Sequence, residues 1–354
     1  MSWEHQRVVT HAFKTTLAAV LCWWIAKLAG LHDGYWGSIS AIIVLQSYVG
    51  STVTASRERL IGTFVGAGFG FLFSQWDALP WNFVCALMAA FLLCGLLGLK
   101  NSLRLAGVTV CIVMLVHKVG SHWSIALGRI GEVALGIVVA LAVSTLVFPD
   151  RARLRLKNNL AQEYLLLGSL FEATLKGFRG EPAKDLTALH EQAQSLLESN
   201  VQLVEAARNE PSGGAGWPEG LNTLAQFGWS LFEAINALDL AVHGSSDDAY
   251  SHQLEPALGL LATDIRNGFH YVAHCIHDWK FHVAPKEFNL EDDIAKLEER
   301  MAAVRHTGLQ FSQEEILRAY AVQLHLKQIA RVLRASRVQT SEAIGEAREK
   351  RQAT

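Results

Sequence analysis

An arginine and a glutamate stand three residues apart inside a long apolar run. The run covers residues 123–148, and the two charges are Arg129 and Glu132. A charge at the centre of a membrane-spanning helix costs about 2.5 to 3.5 kcal/mol, so such residues usually face a bundle interior or an aqueous path. At this spacing the two side chains share a helix face and can neutralise each other. The pair is interpreted either as a structural ion pair or as an element that gates or attracts an anion.

Two further arginines precede a row of glycines. Arg57 and Arg59 could form a basic vestibule for anions, or they could serve only as anchors of the topology. Gly62, Gly66 and Gly70 then recur every four residues on one helix face, which permits close approach of helix backbones in lipid. A phosphate-binding glycine loop is not expected, because no strand-helix-strand pattern surrounds these glycines.

Aromatic and histidine side chains form two weaker candidate sites. Tyr35 and Trp36 open an apolar segment, where they fit an interfacial aromatic belt or, alternatively, a surface that stacks on an aromatic substrate. His270, His274 and His277 share a helix face and form a weak candidate for a metal site. Without an HExxH motif or an acid in register, packed or solvated histidines are the preferred interpretation, and no cofactor is expected. The sequence has no recognisable set of a nucleophile, a base and an orienting acid, so an enzyme is not predicted.

The sequence before residue 150 contains six apolar segments. A helix that crosses the hydrocarbon layer needs about 20 mostly apolar residues. Soluble buried helices are the alternative, but six consecutive runs exceed what one globular core would hold. Residues 1–149 are therefore predicted to be a six-span transmembrane domain. The predicted spans are residues 10–30, 34–50, 59–76, 80–99, 103–119 and 123–148.

The distribution of positive charge predicts the orientation of the spans. Lysines and arginines collect at the N-terminus and at the even-numbered turns, which places both termini in the cytoplasm. The formal net charge is −2, which gives no reason to expect nucleic acid as a partner, because binding a phosphate backbone requires a basic surface. The cations that carry this prediction are Arg7, Lys14, Arg57, Arg59, Lys100, Arg104, Arg151, Arg153, Arg155 and Lys157.

The sixth span partly repeats the third one. The residues at +3, +7, +11 and +15 from Arg59 are Gly, Gly, Gly and Ser, and from Arg129 they are Glu, Gly, Ala and Ser. The copies are offset by three helices, so the pattern predicts an inverted three-plus-three repeat, which is typical of transporters. Chance periodicity of small residues is the alternative.

The remainder of the chain is polar and helical in pattern. Charged residues recur at helical spacing from Asp150 onward, and Gly, Pro and capping residues mark the breaks. Residues 150–354 are therefore predicted to be a cytoplasmic antiparallel helical bundle. The predicted helices cover residues 151–178, 183–209, 217–243, 247–282, 289–306 and 312–350.

The stretch from Tyr35 to Leu72 resembles the signature of the fusaric acid resistance (FUSC) family, also called aromatic acid exporters. Its features are a Tyr-Trp pair at the head of one span, a glutamine near the end of that span, and an Arg-x-x-Gly-Thr-x-x-Gly start to the next span. The likeness covers about residues 10–150. The matching residues are Tyr35, Trp36, Gln46, Arg59, Gly62, Thr63 and Gly66, with Arg129, Glu132, Gly136 and Pro149 in the last span.

The resemblance implies an inner-membrane protein that exports aromatic or other organic carboxylates. Plant aluminium-activated malate transporters look related, and they pair six spans with a cytoplasmic helical domain in a dimer. A homodimer is therefore expected. Many larger family members carry two membrane blocks, whereas this chain has one, so a complete pathway could need two copies.

These observations predict an all-α membrane protein that moves organic anions out of the cytoplasm. Glu132 is the expected proton carrier if transport is coupled to protons. A passive anion channel and a membrane-anchored sensor or scaffold are the alternatives. The predicted anion path contains Arg57, Arg59, Arg129, Glu132, Tyr35, Trp36 and Gln46, and the predicted helix-packing residues are Gly62, Thr63, Gly66, Gly70 and Gly136.

Overall fold

The computed structural model describes residues 3–31, 33–76, 80–115, 122–178, 186–210, 220–242, 249–279, 290–305 and 312–352, and within these ranges all regular structure is α-helical. The chain divides into two compact units. Unit 1 comprises residues 1–152 and 205–211, and unit 2 comprises residues 153–204 and 212–354. An all-α fold is thus confirmed for the described residues.

The helices of the first part of the chain are α1 (Trp3–Leu28), α2 (Tyr35–Val44), α3 (Val49–Phe73), α4 (Trp81–Leu96), α5 (Lys100–Leu115) and α6 (His122–Leu146). They are followed by α7 (Ala152–Phe178), α8 (Leu186–Arg208), α9 (Gly220–Val242), α10 (Ala249–Asp278), α11 (Leu290–Arg305) and α12 (Gln313–Gln352).

The predicted second span, residues 34–50, is not a single helix. Helix α2 has 10 residues. At about 1.5 Å per residue it is roughly 15 Å long, about half of a bilayer's hydrocarbon core. The backbone is extended at Leu45 and Tyr48, and α3 begins at Val49. The N–H of Gln46 donates to Thr52 Oγ1 at 3.0 Å, which satisfies a backbone group in the break.

Helix α3 also begins ten residues before the predicted start at residue 59. The segment is polar, but its hydroxyl groups are compatible with a helix because they bond the carbonyl four residues earlier. Ser56 Oγ donates to Thr52 O at 2.7 Å, and Thr54 Oγ1 donates to Gly50 O at 3.2 Å. Polar composition alone therefore predicted a turn where the chain is helical.

Two helices of the described chain are both long and apolar enough to cross a membrane. These segments are Val8–Leu28 in α1 and Trp123–Leu146 in α6. Helices α2 and α4 are apolar but shorter. The six-span arrangement and the assignment of a membrane domain and a cytoplasmic domain stay predictions.

Each helix of unit 1 packs against two or more others. Helix α3 packs on α5, α6 and α4, and α2 packs on α6 and α1. Helix α1 also contacts α6, and α4 also contacts α5. Helices α3 and α6, which carry the buried arginines, therefore lie side by side.

Small side chains fill the interior of unit 1, while many large apolar side chains are exposed. Ala41, Ala90 and Ala106 are completely buried, as the helices approach closely there. Leu96 and Leu146 are 85% and 80% exposed. Larger aliphatic residues are buried as well, so the feature that distinguishes unit 1 is the number of large apolar side chains at its surface.

The helices of unit 2 are on average longer than those of unit 1. Helix α12 packs on α9 and α10, and α10 packs on α11. Helix α7 contributes Phe171, whose ring centroid lies 6.1 Å from that of Phe269 on α10. Here large residues such as Leu160 and Leu167 are completely buried.

Candidate functional site

Arg59 is buried on the face of α3 that looks toward α2. Its exposed fraction is 2%, and its Nη2 group lies 3.4 Å from Ser40 Oγ of α2, to which it donates. Arg57 is exposed on the same helix. Two residues correspond to about 200° of helix rotation, so the two arginines point in nearly opposite directions. The structure does not bring Arg57 into one cluster with Arg59.

Arg129 of α6 is buried as well, and it has two identified partners. Its Nη1 group donates to Glu132 Oε2 at 2.8 Å, and both side chains are almost completely buried. Its guanidinium carbon lies 4.0 Å from the centroid of the Trp36 ring, a cation–π arrangement. The ion pair expected from the spacing of Arg129 and Glu132 is thus present, and a residue of α2 covers it.

Arg59 and Arg129 lie close enough for their charges to repel. The Nε atoms of both side chains are buried and make no hydrogen bond to the described residues. Two guanidinium groups and one carboxylate leave this cluster with an excess positive charge. Because a buried charge without a partner is costly, the cluster suits an anion that accepts from the free N–H groups.

Two other predicted path residues lie at the edge of this cluster or beyond it. Tyr35 is exposed, with its ring centroid 5.3 Å from that of Trp36, and it lies within electrostatic reach of Arg129. Gln46 is exposed in the break after α2, where its Nε2 group donates to Ile43 O at 3.2 Å.

The glycine row of α3 lies against α5. A Cβ at Gly62 would come within 2.8 Å of Ser102 O, and one at Gly66 would come within 2.7 Å of Thr109 Cβ. A Cβ at Gly70 would lie 3.0 Å from Val113 Cβ. These three positions therefore leave no free space for a side chain, and they bring the two backbones together. Thr63, next to the row, is buried and donates to Arg59 O at 2.8 Å.

Gly136 of α6 forms a second close approach, to α2. A Cβ at Gly136 would lie 2.8 Å from Ser40 Cβ, and one at Gly37 would lie 3.1 Å from Glu132 O. Ser40 and Gly37 were missed in the analysis of the sequence. Both belong to the buried face of α2, and the small residues of that face, Gly37, Ser40 and Ala41, recur at helical spacing in the sequence.

The weak metal candidate has no support in the geometry. His270, His274 and His277 are exposed along α10. Within the part of the chain that the structure describes, no three histidine, cysteine or acidic side chains are arranged to hold a metal ion.

Comparison with known proteins identifies related membrane proteins. Inner membrane protein YccS of Escherichia coli (strain K12) is 23% identical over 141 residues, which cover 40% of this chain and 20% of YccS. The uncharacterized transporter YdhK of the same strain is 27% identical over 139 residues, which cover 36% of this chain and 21% of YdhK. The chain thus matches about a fifth of the length of each of these relatives.

The match to a family model is broader. The model described as the fusaric acid resistance protein family, FUSC, matches residues 8–354. The resemblance seen in the segment around Tyr35 and Arg59 is confirmed, and the match extends beyond residue 150, where the sequence motifs end. The chain belongs to the fusaric acid resistance protein family.

Proposed function

We propose that this chain is an inner-membrane transport protein that exports organic anions, with aromatic carboxylates as the preferred class. The observation that carries this proposal is the buried cluster of Arg59, Arg129 and Glu132, with its excess positive charge and two Nε–H groups that make no hydrogen bond to the described residues. A carboxylate would supply the missing negative charge and the missing acceptors. The name of YdhK, an uncharacterized transporter, supports the transport class.

The distribution of side chains in unit 1 supports a lipid environment. Large exposed residues such as Leu96 and Leu146 would be unfavourable in water, and the small buried residues fit helix packing in lipid. The name of YccS, an inner membrane protein, agrees with this location. We therefore place helices α1 to α6 in the membrane and α7 to α12 in the cytoplasm, as an antiparallel bundle.

The helix neighbours in unit 1 support the inverted repeat. Exchanging α1, α2 and α3 with α4, α5 and α6 converts each principal neighbour pair into another. The α1–α2 pair becomes α4–α5, the α2–α6 pair becomes α5–α3, and the α1–α6 pair becomes α4–α3. The α3–α6 pair is converted into itself, which agrees with the alignment of Arg59 with Arg129 in the proposed repeat.

The nearby aromatic residues favour an aromatic acid over a small one. Trp36 already stacks on Arg129, and the Tyr35 ring lies next to Trp36. An aromatic carboxylate could place its charge at the arginines and its ring against these side chains. Such a substrate uses both chemical features of the site.

The proposal is tested by flux from liposomes that contain the purified full-length protein. Labelled benzoate, malate and a neutral aromatic alcohol are compared. We expect transport of the carboxylates, with benzoate favoured, and no transport of the alcohol. Arg59→Gln should reduce the flux at least about tenfold, because loss of one charge-assisted hydrogen bond costs roughly 1.5 to 3 kcal/mol.

Arg57→Gln is the matched control for this experiment. It removes the same charge from the same helix but at an exposed position, so the flux should stay within about twofold of the wild type. Equal losses in the two variants would exclude a specific role of the buried cluster.

If the protein moves no carboxylate while unit 2 captures a partner protein, the scaffold alternative is correct. Flux that follows the anion gradient and voltage without protons would indicate a channel.

A further inference from the structure

Unit 2 contains a carboxyl group that solvent does not reach. Glu163 of α7 is 1% exposed. Asn200 of α8 donates its Nδ2–H to Glu163 Oε2 at 2.5 Å. A Cβ at Gly228 of α9 would collide with Glu163 Oε1, so the carboxyl group fills the space that a side chain would otherwise need. Three helices therefore meet at this one acid.

The pair of Glu163 and Asn200 lacks one hydrogen-bond donor. Glu163 Oε1 and Asn200 Oδ1 are buried acceptors that make no hydrogen bond to the described residues. A protonated carboxyl group and a primary amide can form a closed pair with two hydrogen bonds. The amide N–H donates to one carboxyl oxygen, and the acid O–H donates to the amide oxygen. One proton on Oε1 would therefore supply the missing donor and also remove the buried charge.

The surroundings of Glu163 favour the protonated form. Burial raises the pKa of Glu163 to about 8, although the hydrogen bond from Asn200 acts in the opposite sense. Among the described residues, no charged group contributes to this pKa. The titratable groups on the neighbouring helices include Tyr164 of α7, bonded to Ser336, the exposed Glu198 and the Phe232-stacked His190 of α8, the exposed Glu233 and the half-buried Asp239 of α9, and Arg337 of α12, which acts on Tyr271.

We propose that Glu163 is a proton-dependent latch, an acid that pairs with Asn200 and holds α8 and α9 on α7 while it stays protonated. The latch lies wholly within unit 2, so it would act whatever unit 1 transports. It would make the packing of unit 2 tighter at acidic pH and looser at alkaline pH.

The pH window follows from proton linkage. The unfolded state releases the Glu163 proton near the ordinary pKa of 4.5, whereas the folded state keeps it up to about pH 8. The contribution to stability is complete below about pH 4.5, falls between about pH 4.5 and 8, and stays at its low value above about pH 8. Within this window the folded state binds one more proton than the unfolded state does.

Hydrogen exchange of the full-length protein in detergent tests the latch. Peptides from α7, α8 and α9 are followed between about pH 5 and 9, with correction for intrinsic exchange rates. Linkage of one proton predicts that wild-type protection falls by up to about tenfold per pH unit below pH 8. Glu163→Gln can still form two hydrogen bonds with Asn200 but cannot titrate, so this slope should disappear.

Glu172→Gln is the matched control, because Glu172 lies on the same helix but its side chain is 43% exposed and pairs with Lys176 at 3.2 Å. This variant should keep the wild-type slope. If Glu163→Gln does not fold, Glu163→Met removes the same titrating group. Infrared spectra should also contain a carboxylic acid band at pH 6 that the Glu163 variant lacks. Parallel slopes in the wild type and the variant, or constant wild-type protection across the window, would overturn the proposal.

Discussion

The two buried arginines of unit 1 are held in different ways. Arg129 has a carboxylate partner in Glu132, whereas the hydrogen bond of Arg59 goes to the neutral hydroxyl group of Ser40. A hydroxyl group satisfies a donor but does not balance a charge. Of the two arginines, Arg59 is therefore the one whose buried charge is less compensated by the described residues. For this reason we expect Arg59 to make the strongest contact with a transported anion.

The Arg129–Glu132 pair allows a prediction about proton coupling. Glu132→Gln keeps an acceptor for Arg129 but cannot carry a proton, so the pH dependence of transport should be lost while binding persists. Glu132→Ala should also lower the free energy of unfolding by about 3 to 5 kcal/mol, because it leaves Arg129 as an unpaired buried charge. Flux at several pH values and thermal unfolding in detergent measure the two effects.

Glu58→Gln provides the control for the Glu132 variants. Glu58 lies at the surface of α3, where Asn101 donates to its Oε1 at 2.7 Å, and its loss should change neither stability nor the pH profile appreciably. A Glu132→Gln protein that retains the wild-type pH profile would rule out Glu132 as the proton carrier. Glu132 would then be a structural partner of Arg129 only.

At the scale of the helices, the glycine row of α3 predicts that the stability of the protein depends strongly on side-chain size at these positions. Gly66→Ala should destabilise the protein by about 1 to 3 kcal/mol, since the new Cβ would meet Thr109 and the backbone of α5. Gly68→Ala is the matched control, because no atom lies within 4 Å of a Cβ there. That change should stabilise the helix by up to about 1 kcal/mol.

Thermal unfolding of the two glycine variants in the same detergent gives the comparison. The expected order of stability is Gly68→Ala, wild type and then Gly66→Ala. A Gly66→Ala protein as stable as Gly68→Ala would mean that α3 and α5 do not pack as closely as their backbones indicate. Loss of stability in both variants would instead point to a need for glycine flexibility in α3.

The break between α2 and α3 is a second feature at the scale of the helices. Helix α2 is about half the length that a bilayer requires, and an extended segment follows it. Irregular backbone at membrane depth is tolerated where it is buried in protein or lines a cavity. Trp36 and Ser40, which contact the two buried arginines, are both on this short helix. The short helix therefore presents its polar and aromatic contacts to the cluster that we propose binds the anion.

At the scale of the whole molecule, the charge pattern predicts where the two ends of the chain lie. Reporter tags fused at Met1 and at Thr354 should both report the cytoplasm, because cations collect at the N-terminus and at the even-numbered turns. Protease protection in spheroplasts measures this. An odd number of crossings would place the tags on opposite faces and would contradict the six-span proposal.

Local spacing accounts for what the sequence could predict. The three-residue interval placed Arg129 and Glu132 on one helix face, and the four-residue interval placed Gly62, Gly66 and Gly70 on one face of α3. Both predictions concern neighbours within a single helix, where rotation per residue determines which side chains share a face. Helix-forming patterns likewise identified the all-α class.

Contacts between helices could not be derived in this way. Arg57 and Arg59 differ by two residues, and only the packing of α3 decides that Arg59 is buried against α2 while Arg57 is exposed. In the sequence, Glu163 lies on the apolar face of α7, between Leu160 and Leu167. Its pairing with Asn200 depends on the packing of α8 against α7, which the sequence does not show. By itself the sequence determined the all-α class, the side chains that share a face within one helix, and the family signature. Tertiary structure decided which faces meet, because burial and charge compensation depend on side chains that are distant along the chain.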